Sequence, residues 1–202
     1  GKHLRELGPG AMPQWSPDGT RLAFHSYENG GEIVVYYLKT GKRSVVARHW
    51  GSPRWLRDGQ GIISIKQGEG FFVVDLTTGE EGSLGVAEAV APYQGFDLSA
   101  DGRQLLFGDS NLGGVVILQF RDNGRLENAN HLLGDARCTF CSWNPEGDRF
   151  VVSLTSAPGG KPSLHLVDVA DKRPRYLAGQ PQDAANVNPS WSDDGQWIVF
   201  SS

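Results

Sequence analysis

The residues of this chain with the widest chemical reach are two cysteines, Cys138 and Cys141, and five histidines, His3, His25, His49, His131 and His165. Cys138-Thr139-Phe140-Cys141 has the Cys-x-x-Cys spacing used by thiol redox centres and metal knuckles. No histidine follows it directly, which excludes covalent haem attachment by that motif. No second pair completes a four-thiolate metal site. In an extended strand, Cα atoms three residues apart are separated by ~10 Å at ~3.3 Å per residue, whereas a disulfide needs under ~7 Å. Two free thiols are therefore expected. The histidines share no metal-ligand spacing, so no metal site is assigned. A Gly-x-Ser-x-Gly nucleophile elbow and a phosphate-cradling glycine loop are both absent. No catalytic residue and no cofactor is assigned, and the chain is expected not to be an enzyme.

The elements that position these residues are set by a repeat. Trp15-Ser16-Pro17-Asp18-Gly19 returns as Trp55-Leu56-Arg57-Asp58-Gly59, Leu98-Ser99-Ala100-Asp101-Gly102, Trp143-Asn144-Pro145-Glu146-Gly147 and Trp191-Ser192-Asp193-Asp194-Gly195. The steps between lead residues are 40, 43, 45 and 48, periods that mean an array of supersecondary units. Each copy has the chemistry of a hairpin turn: proline presets φ, Asp tolerates the next position and Gly takes a positive φ. Three residues after each Gly an apolar run begins, at Leu22, Ile62, Leu105, Phe150 and Ile198. Consecutive apolar positions in so short a run predict a strand buried on both faces. Small sheets stacked face to face around an axis bury both faces of each sheet, which is a β-propeller. The expectation is an all-β chain of about five four-stranded blades, residues 1–202 forming a single domain. The last blade is either incomplete or closed by the opening segment Lys2–Leu7, read as an outer strand. The chain begins with Gly1 and carries no charged-plus-apolar leader, so it is read as processed or as part of a longer chain.

Formal net charge is −4, from 19 Lys and Arg against 23 Asp and Glu, with no basic stripe. Sequence-independent binding to nucleic acid is therefore not expected. No stretch approaches the ~20 apolar residues of a membrane-spanning helix.

In a propeller the motif turns and the Thr-Gly turns lie on one face, short and alike. The opposite face carries the turns after each second strand and the linkers between units, which vary, and variable loops on a rigid scaffold are where recognition usually sits. The binding candidates there are Tyr27, Arg48, His49, Trp50, Tyr93, Asp109 and Arg137. Tyr, Trp and Arg are the side chains that dominate protein interfaces. The tryptophans of the motif itself recur with the period and are read as packing between blades.

The motif resembles the TolB-type propeller repeat, in which a Trp-Ser-Pro-Asp-Gly turn precedes an apolar strand ending in Phe-x-Ser. Here that is Trp15–Gly19 with Leu22-Ala23-Phe24-His25-Ser26, and again Trp191–Gly195 with Ile198-Val199-Phe200-Ser201-Ser202. Val73-Val74-Asp75-Leu76-Thr77-Thr78-Gly79 looks like the third strand and turn of that family. Leu98 stands for Trp, Leu56 and Asn144 for Ser, and Glu146 for Asp. The repeat, the absence of catalytic motifs and the interface-type loop residues point to a non-catalytic scaffold that binds another protein, or another domain of its own chain, through the variable face; the resemblance adds a periplasmic or secreted setting. It also leaves open a ligand- or sugar-binding, lyase-like propeller using some of His25, His49 and Asp109 at a channel mouth. A third alternative is the gating propeller of a serine peptidase. Fold is shared among such proteins while chemistry is not.

Overall fold

The structure is a computed structural model that describes residues 6–66, 69–85, 92–109, 113–122, 124–134, 136–155, 157 and 159–202; within these, the side chains of 92–94, 128 and 129 are not described. Apart from one turn of 3-10 helix at Glu28–Gly30, every element is a β-strand. The first sheet has the order β1 (Gly10–Trp15), β2 (Arg21–Ser26), β3 (Glu32–Tyr37), β4 (Arg43–Ala47). The second comprises β5 (Arg54–Trp55), β6 (Gly61–Lys66), β7 (Gly70–Asp75) and β8 (Glu81–Gly85). The third comprises β9 (Pro92–Leu98), β10 (Gln104–Asp109), β11 (Val115–Phe120) and β12 (Leu126–Leu132). The fourth comprises β13 (Arg137–Trp143), β14 (Arg149–Thr155), β15 (Ser163–Asp168) and β16 (Pro174–Tyr176). The fifth repeat is a hairpin of β17 (Val187–Trp191) and β18 (Ile198–Ser201).

The class is all-β and the fold a β-propeller, with four four-stranded blades among the described residues, not five; the fifth repeat contributes the β17–β18 hairpin. The closing strand expected at Lys2–Leu7 falls mostly outside the described residues, and residues 6–9 carry no strand.

The chain divides into two compact units, residues 1–67 with 71–83, and residues 68–70 with 84–202. In the first unit, Ala23, Phe24, His25 and Ser26 are buried in succession, as are Glu32 to Tyr36. Such runs require cover on both faces of the sheet. One face of β2 and β3 meets the second sheet in a cluster of Ala23, Ile33, Val35, Ala47, Trp55, Ile62 and Val74. Trp55 seals it, donating its indole Nε1–H to the Gln14 carbonyl at 3.0 Å. In the second unit, Trp143 packs with Leu106, Val115 and Ile117 of the third sheet. These two tryptophans pack between blades as the repeat predicts. Trp15 does not, and is 61% exposed.

The motif turns share one hydrogen-bond pattern. In the first, the Gly19 amide donates to the Ser16 carbonyl (2.8 Å) and the Ser16 amide to that of Arg21 (2.9 Å). The Ser16 hydroxyl donates to Asp18 (2.5 Å) while accepting from the Arg21 amide (2.9 Å). The glycines take φ of 66° to 73°, the left-handed region that a side chain disfavours. Ser99–Asp101 and Ser192–Asp194 repeat the clamp, each at 2.6 Å. Asn144 replaces Ser without loss: its Oδ1 accepts from Arg149 N (2.9 Å) and its Nδ2 donates to Glu146 (2.8 Å). Leu56 cannot, and that turn keeps the backbone bonds and Asp58 alone.

Inner strands carry bulges. Pairing skips between Ala11 and Gln14, between Cys138 and Cys141, and between Val187 and Ser190, with positive φ at Met12 and Asn188. The Cys-x-x-Cys segment therefore is not the regular extended strand assumed from sequence. Both cysteines are nevertheless outside any disulfide, and both are buried. Burial pushes Cys138 up to about 12, and the Cys141 thiol faces the Leu106 carbonyl at 3.5 Å.

The clamp gives a pH-dependent prediction. Hydrogen bonds from Ser99 and then the Arg103 amide hold Asp101 below its usual carboxylate value of 3.8. A lowered folded value stabilises above the unfolded one and is lost as pH falls through the folded one. Ser99→Ala, which removes two bonds made by a buried hydroxyl, is expected to cost about 1–2 kcal/mol at pH 7. That cost should shrink as the pH falls below 3.8 and through the lower folded value, in urea titrations at stepped pH.

Candidate interaction surface

The loops leaving β2 and β4 meet in the first unit and build an aromatic patch. The Trp50 ring stacks on His25, with centroids 4.4 Å apart and planes 28° from parallel. Tyr27 lies 5.4 Å from His25 and 5.7 Å from Trp50. His25 is buried at 4% exposure, whereas Tyr27 and Trp50 remain 51% and 54% exposed. Two large rings therefore face solvent on a buried imidazole.

Backbone chemistry sets this geometry. Gly31 has φ of 108°, and a Cβ there would stand 2.9 Å from Trp50 Cδ1 and Nε1, so glycine alone lets the indole lie over the β2–β3 turn. The Gly51 amide donates to His25 Nδ1 at 3.3 Å, pinning the linker beneath the ring. A neutral His25 then carries its proton on Nε2, a buried atom without a partner among the described residues. Burial holds His25 below its ordinary value of 6.5, and the neighbouring His49 acts in the same direction.

Arg48 is fixed at its tip. Its guanidinium donates to Glu32 at 2.5 Å, and that carboxylate is only 3% exposed and also accepts from Asn29 at 3.2 Å. A buried carboxylate is tolerated when it is paired and hydrogen-bonded in this way. The Arg48 side chain is otherwise 72% exposed, beside the two rings in sequence and fold.

His49 turns inward. Its Nε2 faces both the Ser64 hydroxyl (3.2 Å) and Glu81 (3.5 Å), and its Nδ1 lies 3.1 Å from the Trp50 carbonyl. Lys66 pairs with the same Glu81. A hydrolytic triad needs hydroxyl and carboxylate on opposite ring nitrogens and an accessible nucleophile. Here both oxygens approach one nitrogen, and Ser64 is fully buried. This cluster fastens the linker to β6 and β8. Among the described residues no group of three or more His, Cys, Asp or Glu is placed to hold a metal.

The other candidates lie in the second unit, at strand ends instead of in loops. Asp109 closes β10, is 2% exposed, and its amide donates to the Gly114 carbonyl at 3.1 Å. Arg137 opens β13, exposed, opposite Thr155. Tyr93 stands in β9, and its side chain is outside the described residues. The strands reach these positions because pairing resumes beyond each bulge, at Pro92 with Asp109 and Arg137 with Thr155. Sequence reasoning missed Glu32 and Gly31, because neither the burial of an acid beside an apolar run nor a ring above a glycine has a local signature.

Two outcomes are expected from this geometry. Gly31→Ala should lift Trp50 off His25, seen as a red shift of its fluorescence. An NMR titration should place His25 below 6.5, with stability complete above that pH and falling as pH drops through the folded value.

No protein-family model matches the chain. Among curated proteins, the Tol-Pal system protein TolB of Actinobacillus pleuropneumoniae is 43% identical over 54 residues, 25% of this chain and 13% of that protein. The one from Actinobacillus succinogenes is 48% identical over 48 residues, 23% and 11% of the two chains. Among solved structures, TolB from Acinetobacter baumannii superposes with a TM-score of 0.76 at 20% identity, over 97% of this chain and 49% of that one. Hydrazine synthase from Kuenenia stuttgartiensis gives 0.72 at 18%, over 98% and 57%. The Cps50 (Swd1) β-propeller domain of Myceliophteria thermophila gives 0.72 at 16%, over 98% and 64%. The chain thus spans about half of the Acinetobacter protein, and the structural likenesses show the fold alone.

Proposed function

We propose that this TolB-type β-propeller is a non-catalytic scaffold that binds another protein, or another domain of its own chain, through the loops after β2 and β4. One observation carries the reading: Tyr27 and Trp50 are half exposed yet packed on the buried His25 ring, and the exposed Arg48 beside them is held by the buried Glu32. Aromatic and arginine side chains supply most binding energy at interfaces. Rings already fixed in place lose little freedom on binding, which favours affinity. The matched relatives are named for the Tol-Pal system, and we read the partner as a component of an assembly of that kind, in the periplasm. The sequence, which contains no catalytic motif, supports a binding role over an enzymatic one. No helix among the described residues is long and apolar enough to cross a membrane.

The test is photo-crosslinking in the native cell. A crosslinker at Tyr27 should capture a partner, and one at Thr40, in the turn between β3 and β4, should not. Trp50→Ala should weaken the captured complex by about thirtyfold, the scale of an interface hot spot, with the circular dichroism unchanged. Equal capture from both positions would remove the proposal.

A further inference from the structure

The second unit contains a cavity of about 370 Å³ bounded by the loop before β15, the end of β16 and the segment leading into β17. This volume falls in the range of small-molecule sites. Its lining includes Lys161, Pro162, Tyr176, Pro181, Ala184 and Asn186. Neither the aromatic patch nor the proposed scaffold role uses any of them.

Asn186 is held firmly. It is 1% exposed, its amide donates to the Pro162 carbonyl at 2.9 Å, and its own carbonyl accepts from Ser153 at 2.8 Å. Its side-chain nitrogen donates to Gln180 Oε1 (2.9 Å) and to the Pro181 carbonyl (2.7 Å). Those bonds fix which end of the amide is oxygen. That oxygen, Oδ1, has no partner among the described residues. A buried acceptor without a donor is costly, and a ligand that supplies the donor removes the cost. Oδ1 is buried, so a donor reaches it only if the 181–184 segment shifts, a loop rearrangement of the kind that a minority of complexes show on binding.

The other walls narrow the ligand. Lys161 donates to the Asp183 main-chain carbonyl and forms no ion pair among the described residues, so its charge is available to an anion. Tyr176 is 49% exposed, braced edge-on against His165 at 5.7 Å. With Pro162, Pro181 and Ala184 it makes an apolar wall. Ser163 and Gln182 complete the lining. A sugar acid would set its hydroxyls against the apolar wall of Pro162, Pro181, Ala184 and the Tyr176 ring, where they find no partner. An acylated α-amino carboxylate brings one amide N–H, one carboxylate and one side chain.

We propose that this cavity binds the C-terminal residue of a peptide: its amide N–H to Asn186 Oδ1, its carboxylate to Lys161 and its apolar side chain against Tyr176. Capture of a terminal carboxylate is a known mode of peptide recognition.

The experiment is an NMR titration of the 202-residue chain, with calorimetry in parallel. N-acetyl-leucine and acetyl-Gly-Gly-Leu should both shift the Asn186 side-chain amide and residues 161 and 176, the peptide binding at least as tightly. N-acetyl-leucinamide, which lacks the carboxylate, should bind at least about tenfold more weakly, the scale of one charge-assisted hydrogen bond. Lys161→Met should reproduce the leucinamide result and Tyr176→Ala should lower affinity several-fold. Both replace surface residues, so spectra of the free variants confirm folding. Absence of shifts at Asn186 with either acid would overturn the assignment. So would equal binding of acid and amide, or glucuronate binding as well as N-acetyl-leucine. Tight binding of N-acetyl-leucine with none of the peptide would overturn the peptide source.

Discussion

Each inner sheet of this protein is apolar on both faces, and neither face can be left to water. That constraint shapes the rest. Phe150, Val151 and Val152 are all fully buried in one strand, and successive residues of a strand point to opposite sides. A lone sheet of this composition would expose half of them, at about 1.5–3 kcal/mol for each large side chain. Stacking the next sheet removes the penalty, and the tryptophan of the motif closes the seam where two sheets meet, as Trp55 does over Gln14. The outer strands have a single covered side and carry more exposed residues, as in Pro174–Tyr176.

Stacking demands that each hairpin enter at the same angle, and the motif turn provides it. Its clamp is made of local contacts: hydroxyl to carboxylate, backbone to hydroxyl, glycine closing the loop. The turn can therefore be repeated while the loops at the other end diverge, and in the second copy the Gly59 carbonyl also accepts from Arg21 of the first sheet at 2.9 Å. The substitutions show what is required. Asn144 offers both an acceptor and a donor and keeps the clamp, drawing Asp148 in as well at 2.6 Å. Leu56 gives up the side-chain contacts but lies against Gly61, where a Cβ would approach its Cδ1 to 2.6 Å. Packing there stands in for hydrogen bonding.

This division explains what could be read from the sequence. Strands β2, β6, β10 and β14 and the turns before them were legible, because periodic apolar runs and Asp-Gly pairs are local properties of the chain. That Tyr27, Arg48, His49 and Trp50 follow the second and fourth strands could be read; that the loops after β2 and β4 bring them together could not. The bulges were not legible. Met12 and Asn188 take positive φ for reasons of sheet curvature that no neighbour in sequence reveals, and the same irregularity carries Pro92, Asp109 and Arg137 into strands. Nor could the sequence distinguish Glu32, buried and holding Arg48, from a solvated acid at a turn. Blade count failed for a simpler reason: a motif announces two strands, and the third and fourth must be supplied by residues after it.

The two candidate surfaces differ in how they are preorganised. In the aromatic patch the buried groups, His25 and Glu32, support exposed rings and a cation from beneath, so recognition would rest on contact area and shape. In the Asn186 cavity the buried group itself keeps an unmet hydrogen-bonding capacity, so recognition would rest on one directional bond assisted by a charge. The first arrangement tolerates partners of varied sequence, because any flat apolar surface can cover Tyr27 and Trp50. The second discriminates, because a ligand lacking the donor leaves Oδ1 as costly as before while still displacing water from Lys161. Both depend on a scaffold that does not move when loops are loaded. The face-to-face sheets provide it, since shifting one strand would expose an apolar row on two sides at once.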